Sequence, residues 1–248
     1  MQALVLAAGL GMRLRPLTDV CAKPALPVAG EPLIRHIVRW LAAHDVRDLV
    51  VNLHYLPHTL TAVLGDGSDL SVRVRYSWEQ PHILGSAGGP RHALDIIGDD
   101  TFIIANGDTL TDLNVGALVD AHRRSDALVT LALVPNRAPE KYGGAIMKDD
   151  GTVTGFAARG VAARGSFHFI GVQMARAEAF RQLPPGQPAQ SIGGLYDALI
   201  AARPGAIRGF VSDAAFWDIG TPEDYARTSA EFEKEKGVGS PTPFSERR

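Results

Sequence analysis

The sequence predicts an α/β fold, a sheet covered by helices, and three observations carry that prediction. Residues 3–8 (ALVLAA) form a continuous apolar run that stops at Gly9, as a strand buried on both faces does. Leu33, Ile34, Ile37, Val38 and Leu41 recur at helical spacing and make one apolar stripe. Strand and helix patterns then alternate along the first half of the chain, the order of an α/β sheet with covered faces.

Taken in order, the elements are a strand over 3–8, a helix over 32–44, and strands over 48–53 (DLVVNL) and 72–76 (VRVRY). A helix over 88–97 and a buried strand over 101–105 (TFIIA) follow. The second half is less regular. It predicts a helix over 114–124, a strand over 127–134 (ALVTLALV) and a hairpin over 143–156 turning at Asp149-Asp150-Gly151. A strand over 166–172 (SFHFIGV) and a helix over 191–202 come next. The last helix is expected over 221–236, with Thr221 as N-cap, Pro222 at the first position and Glu223 and Asp224 in the first turn. Residues 237–248 are rich in Gly, Ser and Pro and read as a disordered tail. With no repeat and no linker, residues 1–236 are expected to form one domain.

Composition narrows the function. The 248 residues carry 25 basic and 27 acidic side chains, so the chain lacks the basic field that nucleic acid demands. Cys21 is the only cysteine, which excludes an internal disulfide and a cysteine-built zinc site and fits a reducing cytoplasm. The N-terminal apolar run is too short to span a membrane and lacks a basic leader. A soluble cytoplasmic protein is expected, and a homo-oligomer is left open. The eight histidines show no metal-ligand spacing, and most read as surface residues.

The chemistry concentrates after the first strand. Gly9-Leu10-Gly11 resembles two phosphate loops and matches neither. The dinucleotide fingerprint needs Gly where Leu14 stands, and the Walker loop needs Gly-Lys-Ser/Thr where Arg13, Leu14 and Arg15 stand. What remains is a turn of small residues, Leu6, Ala7, Ala8, Gly9 and Gly11, whose backbone a ligand can approach closely. Arg13, Arg15 and Lys23 follow it, and Pro24, Pro27 and Pro32 are expected to hold the next segment extended. A solvent-exposed tight turn is the plain alternative.

Two aspartates stand out further on. Asp108, in Asn106-Gly107-Asp108, follows a buried strand at the sheet edge where α/β folds bind ligands, and a carboxylate there suits Mg²⁺ as well as it suits a turn. Asp218 precedes a helix and serves either a site or a cap. Residues 84–89 (LGSAGG) read as a loop between strand and helix, too rich in small residues to be a packing element.

Together, L-A-A-G-L-G-M-R-L-R-P-L-T and A-K-P-A-L-P-V-A-G-E-P-L-I resemble the signature of the sugar-1-phosphate nucleotidyltransferases. The resemblance extends over about residues 2–233. It implies a Rossmann-like nucleotide-diphospho-sugar transferase fold, GT-A-like, with a mostly parallel mixed central sheet and helices on both faces. It further implies a reaction between a nucleoside triphosphate and a sugar 1-phosphate, with Mg²⁺. By position, it gives Arg13 to the triphosphate, Lys23 to the transition-state phosphate, and Asp108 and Asp218 to the metal. Nucleotide contacts fall on Leu6, Ala7, Ala8, Gly9, Gly11, Arg13, Glu79, Gly85, Ser86 and Gly88, with Gln80 beside Glu79 near the base edge. Sugar-phosphate contacts fall on Asn106, Tyr142, Gly143 and Arg159.

The match departs at one point. Many relatives carry Glu-Lys-Pro where this chain has Ala157-Ala158-Arg159-Gly160, so Arg159 would have to replace the lysine and nothing replaces the glutamate. Among short relatives, the missing motif resembles the N-acetylmuramate-phosphate uridylyltransferases, and L-G-S-A-G-G resembles the mannose- or heptose-phosphate guanylyltransferases. The reading leans to the guanylyltransferases. A cytidylyltransferase acting on a non-sugar phosphate and a non-catalytic sugar-nucleotide sensor are the rivals.

Overall fold

A computed structural model describes residues 1–237, so the tail expected over 237–248 lies, but for its first residue, outside the described residues. The first element is β1 (Gln2–Leu6), and a 3₁₀ turn at Met12–Leu14 follows the glycine-rich segment. Lys23–Ala25 forms another 3₁₀ turn, and the tiny strands β2 (Pro27–Val28) and β3 (Glu31–Pro32) pair in a hairpin. The segment after Lys23 is therefore turned before it is extended. Proline fits because Pro24 sits inside that 3₁₀ turn, where its fixed φ suits the backbone.

The elements α1 (Leu33–Ala43), β4 (Asp48–Leu53), α2 (Pro57–Leu64), β5 (Arg73–Trp78), α3 (Gly85–Ile97) and β6 (Thr101–Asn106) complete the first half. The second half runs β7 (Thr109–Thr111), α4 (Val115–Arg123), β8 (Val129–Pro135), β9 (Gly144–Met147), β10 (Val153–Ala157), β11 (Phe167–Arg176) and α5 (Glu178–Arg181). It closes with α6 (Tyr196–Ala202), β12 (Ile207–Val211), β13 (Phe216–Asp218) and α7 (Pro222–Gly237). The helix expected over 191–202 is regular only from Tyr196, because Ile192 and Gly193 leave helical φ/ψ.

The central sheet has the order β10-β9-β11-β6-β1-β4-β5, with β8 joined to β11 and β12 to β8. Strands β6, β1, β4 and β5 run parallel, and β11 enters antiparallel beside β6. Side chains of β1 alternate between two cores. Ala3 and Val5 pack with Leu33, Ile37 and Leu41 of α1, whereas Leu4 packs with Ala87, Ala93 and Ile97 of α3. Period-two alternation under helices on both faces is the expected α/β architecture.

What positions the site is the register of the parallel strands. Leu6 lies opposite Asn52 and Asn106, and Asn52 lies opposite Ser77, so β1, β4, β5 and β6 end on one edge. The segments leaving those ends carry the glycine turn, Glu79 and Asp108 to a common rim.

Candidate active site

A cavity of about 220 Å³ opens at that rim, lined by Leu6, Ala8, Gly9, Asn52, Glu79, Ile83, Gly85, Ser86, Asn106 and Asp108. It is smaller than the roughly 300 Å³ at which small-molecule sites begin, so it encloses only part of a ligand of that size. A Cβ at Gly9 would meet nothing within 4 Å, which leaves open space at the backbone. Gly11 is different. It has φ +64°, and a Cβ there would strike Thr18 Cγ2 at 2.8 Å, so it shapes the turn and does not line the cavity.

Ala7 is buried, and its N–H donates to Asn52 Oδ1 at 2.6 Å. Asn52 Nδ2 donates in turn to Glu79 Oε1 at 2.7 Å, and the Leu84 N–H donates to Glu79 Oε2 at 2.6 Å. Glu79 is fully buried and both its oxygens are engaged, so it braces the cavity wall where the sequence suggests a base contact. Sequence reasoning missed Asn52. Its signal was one amide at the end of an otherwise apolar strand, DLVVNL.

Residues 85–89 form the first turn of α3, where the sequence suggests a loop. A helix can start there because the Ala87 and Gly88 N–H groups both donate to the Ala189 carbonyl, at 2.9 and 3.1 Å. Ser86 Oγ accepts from the Ser191 N–H at 2.9 Å and donates to Gln190 Oε1 at 3.1 Å. Gly85 and Ser86 line the cavity, but Gly88 does not. A Cβ on Gly88 would lie 2.5 Å from the Gln187 carbonyl, so this glycine permits close packing.

The charged groups gather beside the cavity. Lys23, 9% exposed, places Nζ 2.7 Å from Asp108 Oδ2. β13 pairs with β7 so that Asp218 faces Thr109, and the Ile219 N–H donates to the Asp108 carbonyl at 3.0 Å. Burial, and then the charge of Asp108, push the Asp218 carboxyl above its usual range. Its carboxylate makes no hydrogen bond or ion pair among the described residues. The helix cap falls instead to Thr221, whose Oγ1 accepts from the Asp224 N–H at 3.2 Å. Arg13 is exposed, and its guanidinium lies beside Gly220, where a Cβ would meet Arg13 at 3.5 Å and Asp218 Oδ2 at 3.2 Å. Arg15 is spent on Asp19 at 3.1 Å.

Among the described residues, no group of three or more His, Cys, Asp or Glu side chains is placed to hold a metal. Two carboxylates nonetheless suit Mg²⁺, which takes one or two together with phosphate oxygens and water. The unengaged, partly desolvated carboxylate of Asp218 is what such a cation would satisfy.

The residues suggested for the sugar phosphate are less tightly grouped. Asn106 lines the first cavity, and a Cβ on Gly171 would meet its Nδ2 at 2.8 Å. Tyr142 packs on His168 (centroids 4.1 Å apart) and edge-on to Phe216 (5.8 Å), and lines a second cavity of about 740 Å³ with Trp217. Burial holds His168 below its usual range. A Cβ on Gly143 would strike the Ala157 carbonyl at 2.7 Å, so this glycine too is a packing position. Arg159 is exposed.

Comparison with known proteins gives this arrangement its context. The chain is 34% identical over 230 residues to a mannose-1-phosphate guanylyltransferase from Mycobacterium tuberculosis, covering 92% of this chain and 64% of the relative. It is 44% identical over 118 residues to an N-acetylmuramate alpha-1-phosphate uridylyltransferase from Neisseria meningitidis, covering 47% of this chain and 51% of the relative. The chain thus spans between half and two thirds of the length of these two relatives. The fold is that of HddC from Yersinia pseudotuberculosis complexed with GMP-PN, with TM-score 0.79, 23% identity and coverage of 93% and 99% of the two chains. The nucleotidyl transferase family model matches residues 2–235. The chain belongs to the nucleotidyl transferase family.

Proposed function

We propose that the protein transfers a nucleotidyl group from a nucleoside triphosphate to a sugar 1-phosphate and releases pyrophosphate. The observation that carries this reading is the Lys23–Asp108 pair set against Asp218 at the mouth of the glycine turn. A phosphate oxygen of the acceptor forms a bond to the α-phosphorus. The bond from that phosphorus to the pyrophosphate oxygen breaks, and its electron pair leaves with pyrophosphate. The acceptor needs no general base, because its second pKa is about 6 and it is largely dianionic at neutral pH.

Catalysis then rests on positioning and charge neutralisation. Lys23 meets the charge that develops at the α-phosphorus, and Arg13 takes the departing pyrophosphate. The backbone at Ala8 and Gly9, with Gly85 and Ser86 opposite, encloses the nucleoside. Bound Mg²⁺, held by Asp108 and Asp218, would neutralise phosphate charge. The mannose-1-phosphate guanylyltransferase relative, similar over nearly the whole chain, supports GTP with mannose 1-phosphate. The higher identity to a uridylyltransferase over about half the chain makes UTP with N-acetylmuramate 1-phosphate the second reading. No helix of the described residues is long and apolar enough to cross a membrane, which is consistent with work in the cytoplasm.

Pyrophosphate release measured over a panel of triphosphates and sugar 1-phosphates tests the reading. Lys23→Ala and Asp108→Ala should each lower turnover at least about 100-fold, the scale of a lost electrostatic catalyst, while circular dichroism stays native. Near-normal turnover in either variant overturns the assignment, and so does silence of the unaltered protein across the panel.

A further inference from the structure

The inference concerns the acceptor side of the site and rests on the function proposed above. Three carboxylates, Asp108, Asp218 and Asp224, cluster here before any phosphate arrives. A phosphomonoester dianion brought beside them needs a local cation. Lys23 is buried on Asp108, and Arg13 lies beside Gly220 on the glycine-turn side. Arg159, which the sequence suggests for this task, is exposed and makes no ion pair among the described residues.

Lys141 has the properties the task requires. It precedes Tyr142, and its Nζ stands 4.9 Å from the centroid of that ring. The same Nζ lies 2.6 Å from Asp224 Oδ1, on the first turn of α7, the helix that follows Asp218. Asp224 is almost fully buried, yet it is not Lys141's alone. Arg227 Nη2 donates to the same oxygen at 2.6 Å, and the Thr221 hydroxyl donates to the other at 3.1 Å. Asp224 therefore keeps partners if the lysine leaves, so the lysine can move without stranding a buried charge. Its side chain is 39% exposed, which gives a ligand access.

We propose that Lys141 binds the phosphate of the acceptor, resting on Asp224 when the site is empty and swinging to the phosphomonoester when it is filled. The Tyr142 ring beside its Nζ packs edge-on to Phe216 of β13, the strand that carries Asp218, so the lysine rests on the Asp218 side of the site. Burial works to lower the lysine's own pKa, but the interactions with Asp224 and Tyr142 together outweigh it and raise it, so Lys141 stays charged. A lysine meets phosphate as a mobile point charge, which suits a residue that must move between two anions.

Steady-state kinetics with both substrates varied decide the matter. Lys141→Met should raise KM for the sugar 1-phosphate about 10-fold or more, the worth of one charged hydrogen bond. KM for the triphosphate should stay within about two-fold by the same reasoning, and Lys141→Arg should recover part of the loss. Arg164→Met, which removes an exposed arginine paired with Glu140, should leave the acceptor KM near that of the unaltered protein. The inference is overturned if Lys141→Met leaves the acceptor KM unchanged, if both KM values rise together with a fall in Tm, or if Arg159→Met alone carries the effect. Those outcomes leave the proposed function standing. An unaltered protein inactive on every triphosphate and sugar phosphate overturns both.

Discussion

Gly9 and Gly11 stand two residues apart and answer to different demands. Gly9 faces open space, whereas Gly11 is held at positive φ against Thr18. Gly11→Ala should therefore destabilise the fold by roughly 1–3 kcal/mol, the cost of such backbone strain, seen as a lower Tm. Gly9→Ala should leave Tm nearly unchanged and raise KM for the triphosphate about 10-fold, because a methyl group there fills room a ligand needs. A Tm loss in Gly9→Ala, or a nucleotide effect without a Tm loss in Gly11→Ala, would contradict the division. The sequence pattern marks both glycines and does not separate them, since the distinction lies in Thr18, seven residues further on. Glu79 shows the same limit. The resemblance gives it to the nucleotide, and no local pattern reveals that Asn52 and the Leu84 N–H donate to its two oxygens.

Elements with strong periodicity were legible. The α1 stripe and the run at β4 lie where the sequence places them. Elements held by tertiary contacts were not. α2 buries only Leu60 and Leu64 and begins after Leu56 in the left-handed region, so it shows almost no stripe. β12 and β13 have no strong pattern of their own and are strands because β8 and β7 pair with them. α4 carries a test of packing. His122 is buried there, with Nδ1 2.8 Å from Thr130 Oγ1 and no partner on Nε2, and burial lowers its pKa to about 4. The unfolded chain takes up this proton near pH 6.5 and the folded chain only near its lowered value. The stability this neutral histidine supports is thus complete above about pH 6.5 and falls as the pH drops toward 4. The shift corresponds to about 3 kcal/mol. Denaturant titrations from pH 7 to 4 should show that slope in the unaltered protein and a flatter one in His122→Gln; equal slopes would contradict it.

For the whole molecule, the central sheet places the glycine turn, Asp108 and the α3 start on one edge, while β13 and α7 bring Asp218 and Asp224 from the last part of the chain. A triphosphate bound across that edge should stabilise the fold by mass action, about 2.7 kcal/mol at a ligand concentration 100 times Kd. Thermal shifts with GTP, UTP, CTP and dTTP in the presence of Mg²⁺ should rank GTP first; a larger shift with UTP would favour the uridylyl reading. Legibility differed between the two sides of the site. The glycine-turn side lies largely within one continuous stretch that the sequence pattern marks, whereas the proposed acceptor side draws on residues around 141, 168, 218 and 224, whose proximity no local pattern reveals.

The hydrogen bonds from Ala87 and Gly88 to the Ala189 carbonyl have a consequence in time. During synthesis the ribosome releases the glycine turn, Asn52 and Glu79 long before residue 189, so α3 lacks the acceptor for its first turn while most of the chain is still being made. Contacts of such sequence separation close late and slowly. The nascent chain thus lacks a fixed α3 start beside this cavity until the segment around Ala189 arrives, and under the proposed function competence to bind a nucleotide follows that late closure.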